Sequence, residues 1–162
     1  MIFVTLGTQK FQMNRLLKLV DELLHEGKLT KQVIAQIGQS DYVPKHFTYH
    51  RFLDKYDFDR YIFQAEVVIT QGGVGAVMTA MKYKKPTIIV PRLAKYGEHV
   101  DDHQQEIAHA FAKKGYAICC DDGDDLGELI TKYDSRQFPE YKSQTDTITR
   151  LINGYLEQQR IS

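Results

Sequence analysis

Residues 67–90 read VVITQGGVGAVMTAMKYKKPTIIV, an apolar run, a glycine-rich turn, a helix-length segment and a second apolar run. That order is one βαβ unit, and both apolar runs are continuous rather than alternating, as in strands covered by helices on two faces. The pattern extends in both directions. Further apolar runs lie at 2–6, 32–37 and 116–119, with a weaker one at 47–50. Strand-like runs alternating with helical patterns predict an α/β protein with a Rossmann-like parallel sheet and helices on both faces.

The helical patterns lie between the runs. Residues 13–24 place Leu16, Leu17, Val20, Leu23 and Leu24 on one stripe at helical spacing. Residues 74–83 follow the glycines. Residues 103–113 carry Ile107, Ala108 and Phe111 and stop at Gly115. A short acidic helix is expected from Asp124. A terminal helix at about 143–160 presents Ile148, Leu151, Ile152 and Tyr155, a stripe that packs on its own sheet or is shared with another protein. With no internal repeat and no linker, residues 1–162 are expected to form a single domain.

Composition narrows the function. The chain has 21 Lys and Arg against 21 Asp and Glu, for zero formal charge, and no basic tail. Nucleic-acid binding is therefore not expected, because phosphate affinity rests on clustered Lys and Arg. The cysteines, Cys119 and Cys120, are adjacent and point to opposite sides of a strand, so reduced thiols are expected. The start MIFVTLGTQ lacks a basic region and a long apolar stretch, and no window approaches the ~18 apolar residues of a spanning helix. A cytoplasmic chain is expected.

Two strand-to-loop junctions carry the chemistry. Gly7 and Thr8 follow the first strand, and Gln71, Gly72, Gly73 and Gly75 follow the 67–70 run and open a helix. Glycines let backbone N–H groups approach a ligand, and a helix N-terminus favours an anion. Both loops would emerge at the carboxyl edge of the sheet, where α/β proteins bind ligands. Neither GxxxxGK[ST] nor GxGxxG after the first strand is present, which argues against P-loop and common dinucleotide sites. A third segment follows Pro91 and contains Glu98, His99, Asp102, His103 and Gln104, a density of polar groups suited to a sugar. Zinc at His99 and His103 is disfavoured, because HVDDH lacks the glutamate of HExxH. The acidic group Asp121, Asp122, Asp124 and Asp125 reads as a helix cap. No metal site is assigned.

Together, VTLGT, VITQGGVGAVMTAMKYKKPTIIVP and EHVDDHQQEIA resemble glycosyltransferase family 28. Within it the chain resembles the small PssE/EpsE-type capsule and exopolysaccharide subunits. It is also similar to the catalytic subunit of the eukaryotic dolichol-linked GlcNAc transferase. The resemblance covers roughly residues 1–120. It implies the carboxy-terminal, donor-binding half of a GT-B glycosyltransferase, which transfers a hexose from a UDP-sugar to a lipid-linked saccharide with inversion. The acceptor half would be a membrane-anchored partner subunit that recruits the chain to the inner face of the membrane and supplies the catalytic base. The terminal helix, with Tyr155 and Leu156, is the expected docking element. An accessory subunit without catalysis is the alternative.

Carried over residue by residue, the resemblance implies that Gly7, Thr8, Gln71, Gly72, Gly73 and Gly75 face the donor diphosphate. Phe52 and Leu53 fall where the base-recognition segment runs, and Thr79 falls at the ribose position. Glu98, His99, Asp102, His103 and Gln104 would line the sugar side. Many relatives carry histidine in place of Gln71 and glutamate in place of Thr79. An amide can donate and accept hydrogen bonds but cannot transfer a proton. The UDP-sugar is a substrate, and neither cofactor nor metal is expected.

Overall fold

The computed structural model describes residues 1–133. Six strands run β1 (Ile2–Thr5), β2 (Val33–Gln36), β3 (Thr48–His50), β4 (Val67–Thr70), β5 (Thr87–Ile89) and β6 (Ile118–Cys119). Five helices are interleaved: α1 (Asn14–His25), α2 (Lys55–Gln64), α3 (Val74–Lys82), α4 (His103–Lys113) and α5 (Leu126–Tyr133). All pairings are parallel, in the order β3-β2-β1-β4-β5-β6. This is the doubly wound order whose direction reverses between β1 and β4.

Alternation along the strands assigns the two faces. Ile2, Val4, Val67, Ile69 and Ile88 pack with Leu16, Leu17 and Val20 of α1 and Leu126 and Ile130 of α5. Phe3 and Val68 turn the other way, onto Ile62 of α2 and Ala80 of α3. Ile89 meets Val77, Met81, Ile107 and Phe111 of α3 and α4. Both strands at the centre, β1 and β4, are buried at every position. The three-layer arrangement is the one the continuous apolar runs predict.

Three differences from the sequence reading have local causes. Helix α2 is absent from the periodicity reading because KYDFDRYIFQ is rich in aromatic and charged residues and buries fully only Ile62. Its start is nevertheless encoded. Asp54 accepts from the Asp57 N–H at 2.8 Å, while Leu53 and Phe58 flank the cap within one cluster, the arrangement of a hydrophobic staple. Strand β6 is shorter than the 116–119 run because Tyr116 and Gly115 close α4. The Tyr116 N–H donates to the Phe111 carbonyl at 3.1 Å and the Gly115 N–H to Ala112 at 3.0 Å. The acidic helix starts at Leu126, with the Asp125 carboxylate accepting from the Glu128 N–H. The expected terminal helix at 143–160, with Tyr155 and Leu156, lies outside the described residues. No helix among the described residues is long and apolar enough to cross a membrane.

One buried carboxylate organises the loop before β3. Asp21 of α1 accepts from the Tyr42 hydroxyl at 2.7 Å and from the Lys45 and His46 N–H groups at 2.8 and 2.9 Å. Burial alone would raise its pKa, but these donors outweigh it and hold the carboxyl below the usual range. The same contact pushes the Tyr42 phenol up to about 12. Asp21→Ala is expected to cost about 2–3 kcal/mol in urea unfolding, the cost of stranding donors to a charged acceptor. A depressed native pKa stabilises fully above the unfolded value, near 3.8. The difference between wild type and variant should therefore persist at neutral pH and close as pH falls below that value.

Candidate functional site

The parallel register sets Thr5 beside Thr70, so the loops after β1 and β4 leave the sheet side by side. Between them lies the Gln71 side chain, buried at 3% exposure. Its Oε1 accepts from the Thr70 hydroxyl at 2.9 Å, which turns Nε2 toward the glycines. A Cβ on Gly7 would lie 2.8 Å from Gln71 Nε2, and one on Gly73 would lie 2.9 Å from it. The amide fills the space that these two missing side chains leave. Gly7 also holds φ at +71°, a conformation costly for other residues.

Gly73 is the N-cap of α3 and has no side chain to cap the helix. The N–H groups of the first turn therefore remain available at the positive end of the helix dipole. A cavity of about 590 Å³ opens on this turn, lined by Gly7, Thr8, Gln71, Gly73, Gly75 and Thr79 among others. A Cβ at Gly75 would meet no atom within 4 Å, so the wall there is open. Gly72, at φ +99°, lies behind the cavity against Ile89 and Gln104. The Thr79 hydroxyl donates to the Gly75 carbonyl at 2.9 Å, leaving its lone pairs free.

Across the cavity stand Leu53, Phe58 and Gln36. The Leu53 N–H is already committed to Gln36 Oε1 at 2.9 Å, and Gln36 Nε2 donates to the Thr5 hydroxyl. Phe52 is half exposed and is not part of the cavity wall.

The polar segment after β5 is placed differently. None of Glu98, His99, Asp102, His103 and Gln104 lines this cavity. Glu98 is buried and clamps Arg15 of α1 through two hydrogen bonds of 2.9 and 3.0 Å, while also accepting from the Leu93 N–H. Asp102 accepts from the Ala94 N–H at 2.9 Å. His99 meets Phe11 in a tilted ring contact, 5.4 Å between centroids. Asp101 joins the histidines, with Oδ1 at 3.2 Å from His99 Nδ1 and Oδ2 at 3.5 Å from His103 Nε2. Gln104 is fully buried, its Oε1 accepting from the Arg92 N–H.

Sequence reasoning missed Arg92 and Gly38. Arg92 is 1% exposed, and its guanidinium donates to the Leu6 carbonyl at 2.6 Å and the Phe11 carbonyl at 2.9 Å. It thereby fixes both ends of the loop that carries Gly7 and Thr8. Burial lowers its pKa, partly offset by the Glu98 charge, and among the described residues no carboxylate pairs with it directly. A cation held against the β1 loop raises the local positive potential. The sequence signal was an arginine directly after Pro91, at a strand end. Gly38 follows β2, and a Cβ there would lie 2.6 Å from the Gly7 carbonyl oxygen. Its signal was a glycine after an apolar run.

A second cavity, about 680 Å³, lies between α1 and the ends of β5 and β6. Although larger, it is lined by Glu22, Glu98, Asp121, Asp122 and Asp124 against Arg15 and Lys18, an acidic excess that disfavours an anion. The smaller cavity is therefore the candidate. Cys119 and Cys120 are free thiols. Burial, then the nearby aspartates, pushes both upward, Cys120 to about 11, so neither is a thiolate nucleophile at neutral pH. Among the described residues, His109, Cys119 and Asp121 bring possible metal-ligand atoms within 4.8 Å of one another.

Sheet order, the uncapped α3 turn and the cavity over the β1/β4 reversal define a Rossmann-like domain, and its likeness to solved glycosyltransferases makes it the carboxy-terminal half of a GT-B fold. The chain belongs to glycosyltransferase family 28, matching the model of its C-terminal domain over residues 1–151. It is similar to the UDP-N-acetylglucosamine transferase subunit ALG13 of Mus musculus, 26% identical over 130 residues, which cover 73% of this chain and 10% of that protein. The Candida albicans protein of the same name is 25% identical over 105 residues, 65% of this chain and 33% of that one. The chain thus spans a third or less of these relatives' length. Among solved structures, the solution structure of ALG13 aligns with a TM-score of 0.60 at 18% identity, covering 93% of each chain. The kitacinnamycin glycotransferase aligns at 0.60 and 17% identity, covering 98% of this chain and 39% of that one.

Gly38→Ala should strain a residue at φ +57° and drive a methyl into the Gly7 carbonyl. We expect a loss of about 2–3 kcal/mol in chemical denaturation, because the contact is backbone on both sides. A stability equal to wild type would show that the β1 loop can move aside.

Proposed function

We propose that this chain is the donor-binding subunit of a two-chain inverting GT-B glycosyltransferase that uses a UDP-sugar. The supporting observation is the paired glycine loops held around Gln71, with the uncapped α3 turn opening into the cavity. In a displacement at the anomeric carbon the nucleoside diphosphate leaves, and charge grows on its oxygens. Preorganised N–H groups and the helix dipole oppose that charge, with the Arg92 cation adding to the field from below. This electrostatic set supplies what a divalent ion supplies elsewhere, so transfer is expected without one.

Deprotonating the acceptor hydroxyl requires a base within hydrogen-bond reach. That base belongs to the partner in this reading, a membrane-anchored, acceptor-binding subunit that holds the chain at the inner face of the membrane. The similarity to the UDP-N-acetylglucosamine transferase subunit ALG13 supports assembly with another chain. The acceptor is then a lipid-linked saccharide, in exopolysaccharide or capsule synthesis, and the transferred group a hexose.

Calorimetric titration with UDP, GDP and ADP, in EDTA and then in magnesium, tests the reading. UDP should bind selectively and independently of magnesium. Gly75→Asp separates binding from folding, since its Cβ meets open space and a carboxylate in the first helical turn favours the helix. This variant should keep wild-type stability and lose UDP binding by at least about tenfold, because like charges then meet in the cavity. Gly73→Asp should lose binding too, with some loss of stability from the Gln71 contact. Absence of UDP binding both to the chain and to its complex would favour an accessory subunit. Sugar transfer by the isolated chain at the rate of the two-chain mixture would refute partner dependence.

A further inference from the structure

The outer end of the sheet carries a cluster that the donor site does not use. Helix α4 presents His109 toward the end of β6, where Cys119 and Asp121 stand with one residue between them. His109 Nε2 lies 2.7 Å from Asp121 Oδ1, and Cys119 Sγ lies 3.5 Å from the same oxygen. All three potential ligand atoms fall within 4.8 Å of one another. Gln105, one turn before His109, contacts Asp121 Oδ1 from the side at 3.5 Å. The Asp121 backbone is fixed in turn, its N–H donating to Asp124 Oδ2 at 2.8 Å. The group is separated from the β4 loop by β5.

We infer that His109, Cys119 and Asp121 form a site for a zinc-class divalent metal, with a fourth position open to water. One nitrogen, one sulfur and one oxygen are the donor types that borderline metals accept, and three protein ligands plus solvent is a known zinc arrangement. The charges match as well. A neutral imidazole, a thiolate and a carboxylate neutralise a divalent ion. On binding, the thiol proton that now points at Asp121 passes to solvent, and the metal takes its place. Gln105 would then hold the Asp121 carboxylate from the side and orient it toward the ion. The physical return is at β6, a strand of only two residues at the sheet edge. A metal there would tie that strand to α4.

The rival is a plain hydrogen-bonded trio that prefers its proton, and cobalt separates the two. The full chain, stripped with chelator and kept reduced, is titrated with Co²⁺ and read by absorption. Zinc affinity is then measured by competition with a chromophoric chelator. A single equivalent should produce thiolate-to-cobalt charge transfer in the near ultraviolet together with visible bands of tetrahedral intensity. Cys119→Ser should abolish the charge-transfer band, while Cys120→Ser retains it. His109→Ala changes a half-exposed side chain, so its fold should survive, as circular dichroism will check. It should weaken zinc by more than about tenfold, while Gln105→Ala weakens it less. UDP affinity should be the same in every variant. No charge transfer in the wild type, a band that survives Cys119→Ser, or zinc affinity unchanged in His109→Ala would each overturn the site.

Discussion

Thr5 and Thr70 are register partners across the centre of a parallel sheet, and the geometry of the site descends from that pairing. Adjacent parallel strands lie about 4.8 Å apart, so the loops that leave them are pressed together. A side chain on either loop would fill the gap. The chain instead supplies glycine on both, Gly7 and Gly73, and one polar side chain, Gln71, from the β4 loop. The Thr70 hydroxyl fixes which end of that amide faces the glycines. Two loops and one amide thus form a floor beside the uncapped first turn of α3.

Such a floor needs rigid edges, and Arg92 provides one of them. A buried guanidinium without a paired carboxylate is costly. Its two carbonyl contacts, to Leu6 and Phe11, bracket the β1 loop and offset part of that cost. Its Nε and the Gln104 Nε2 are buried donors without a partner among the described residues. Glu98, the nearest acidic influence on Arg92, is instead held by Arg15. The arrangement keeps positive charge under the loop rather than neutralising it.

Much of this was legible from residue order alone. All six strands follow from apolar runs, β3 from the weaker one at 47–50, because burial on two faces leaves continuous runs that no loop would carry. Four of the five described helices follow from helical spacing, the glycine turn or an acidic start. Helix α2 escaped because its core contribution is a single fully buried side chain, Ile62, while its signal lies in the Asp54 cap and the Leu53–Phe58 contact. The glycines of the β1 and β4 loops could be found because they stand at strand ends, whereas Gly38, after β2, was passed over. Arg92 could not be assigned a role, because a lone arginine after a proline says nothing of which carbonyls it will meet across 81 and 86 positions of chain.

The polar stretch after Pro91 shows why density of hydrogen-bonding groups is an ambiguous signal. The connection from β5 to α4 is irregular and partly buried, and buried backbone groups require partners. Asp102 serves the Ala94 N–H, Glu98 the Leu93 N–H and the α1 guanidinium, and Gln104 the Arg92 N–H. Each of these side chains offers the donors and acceptors that a sugar would also want. In this structure their first commitments are to the chain itself, which holds the loop against α1 and beneath Gly72. A ligand-facing role for this segment therefore has to come from the groups left over, the outer atoms of His103 and Asp101, or from exchange of an internal bond for a ligand bond. The first route leaves the scaffold intact. The second would couple donor recognition to the packing of α1, because releasing Glu98 also releases Arg15.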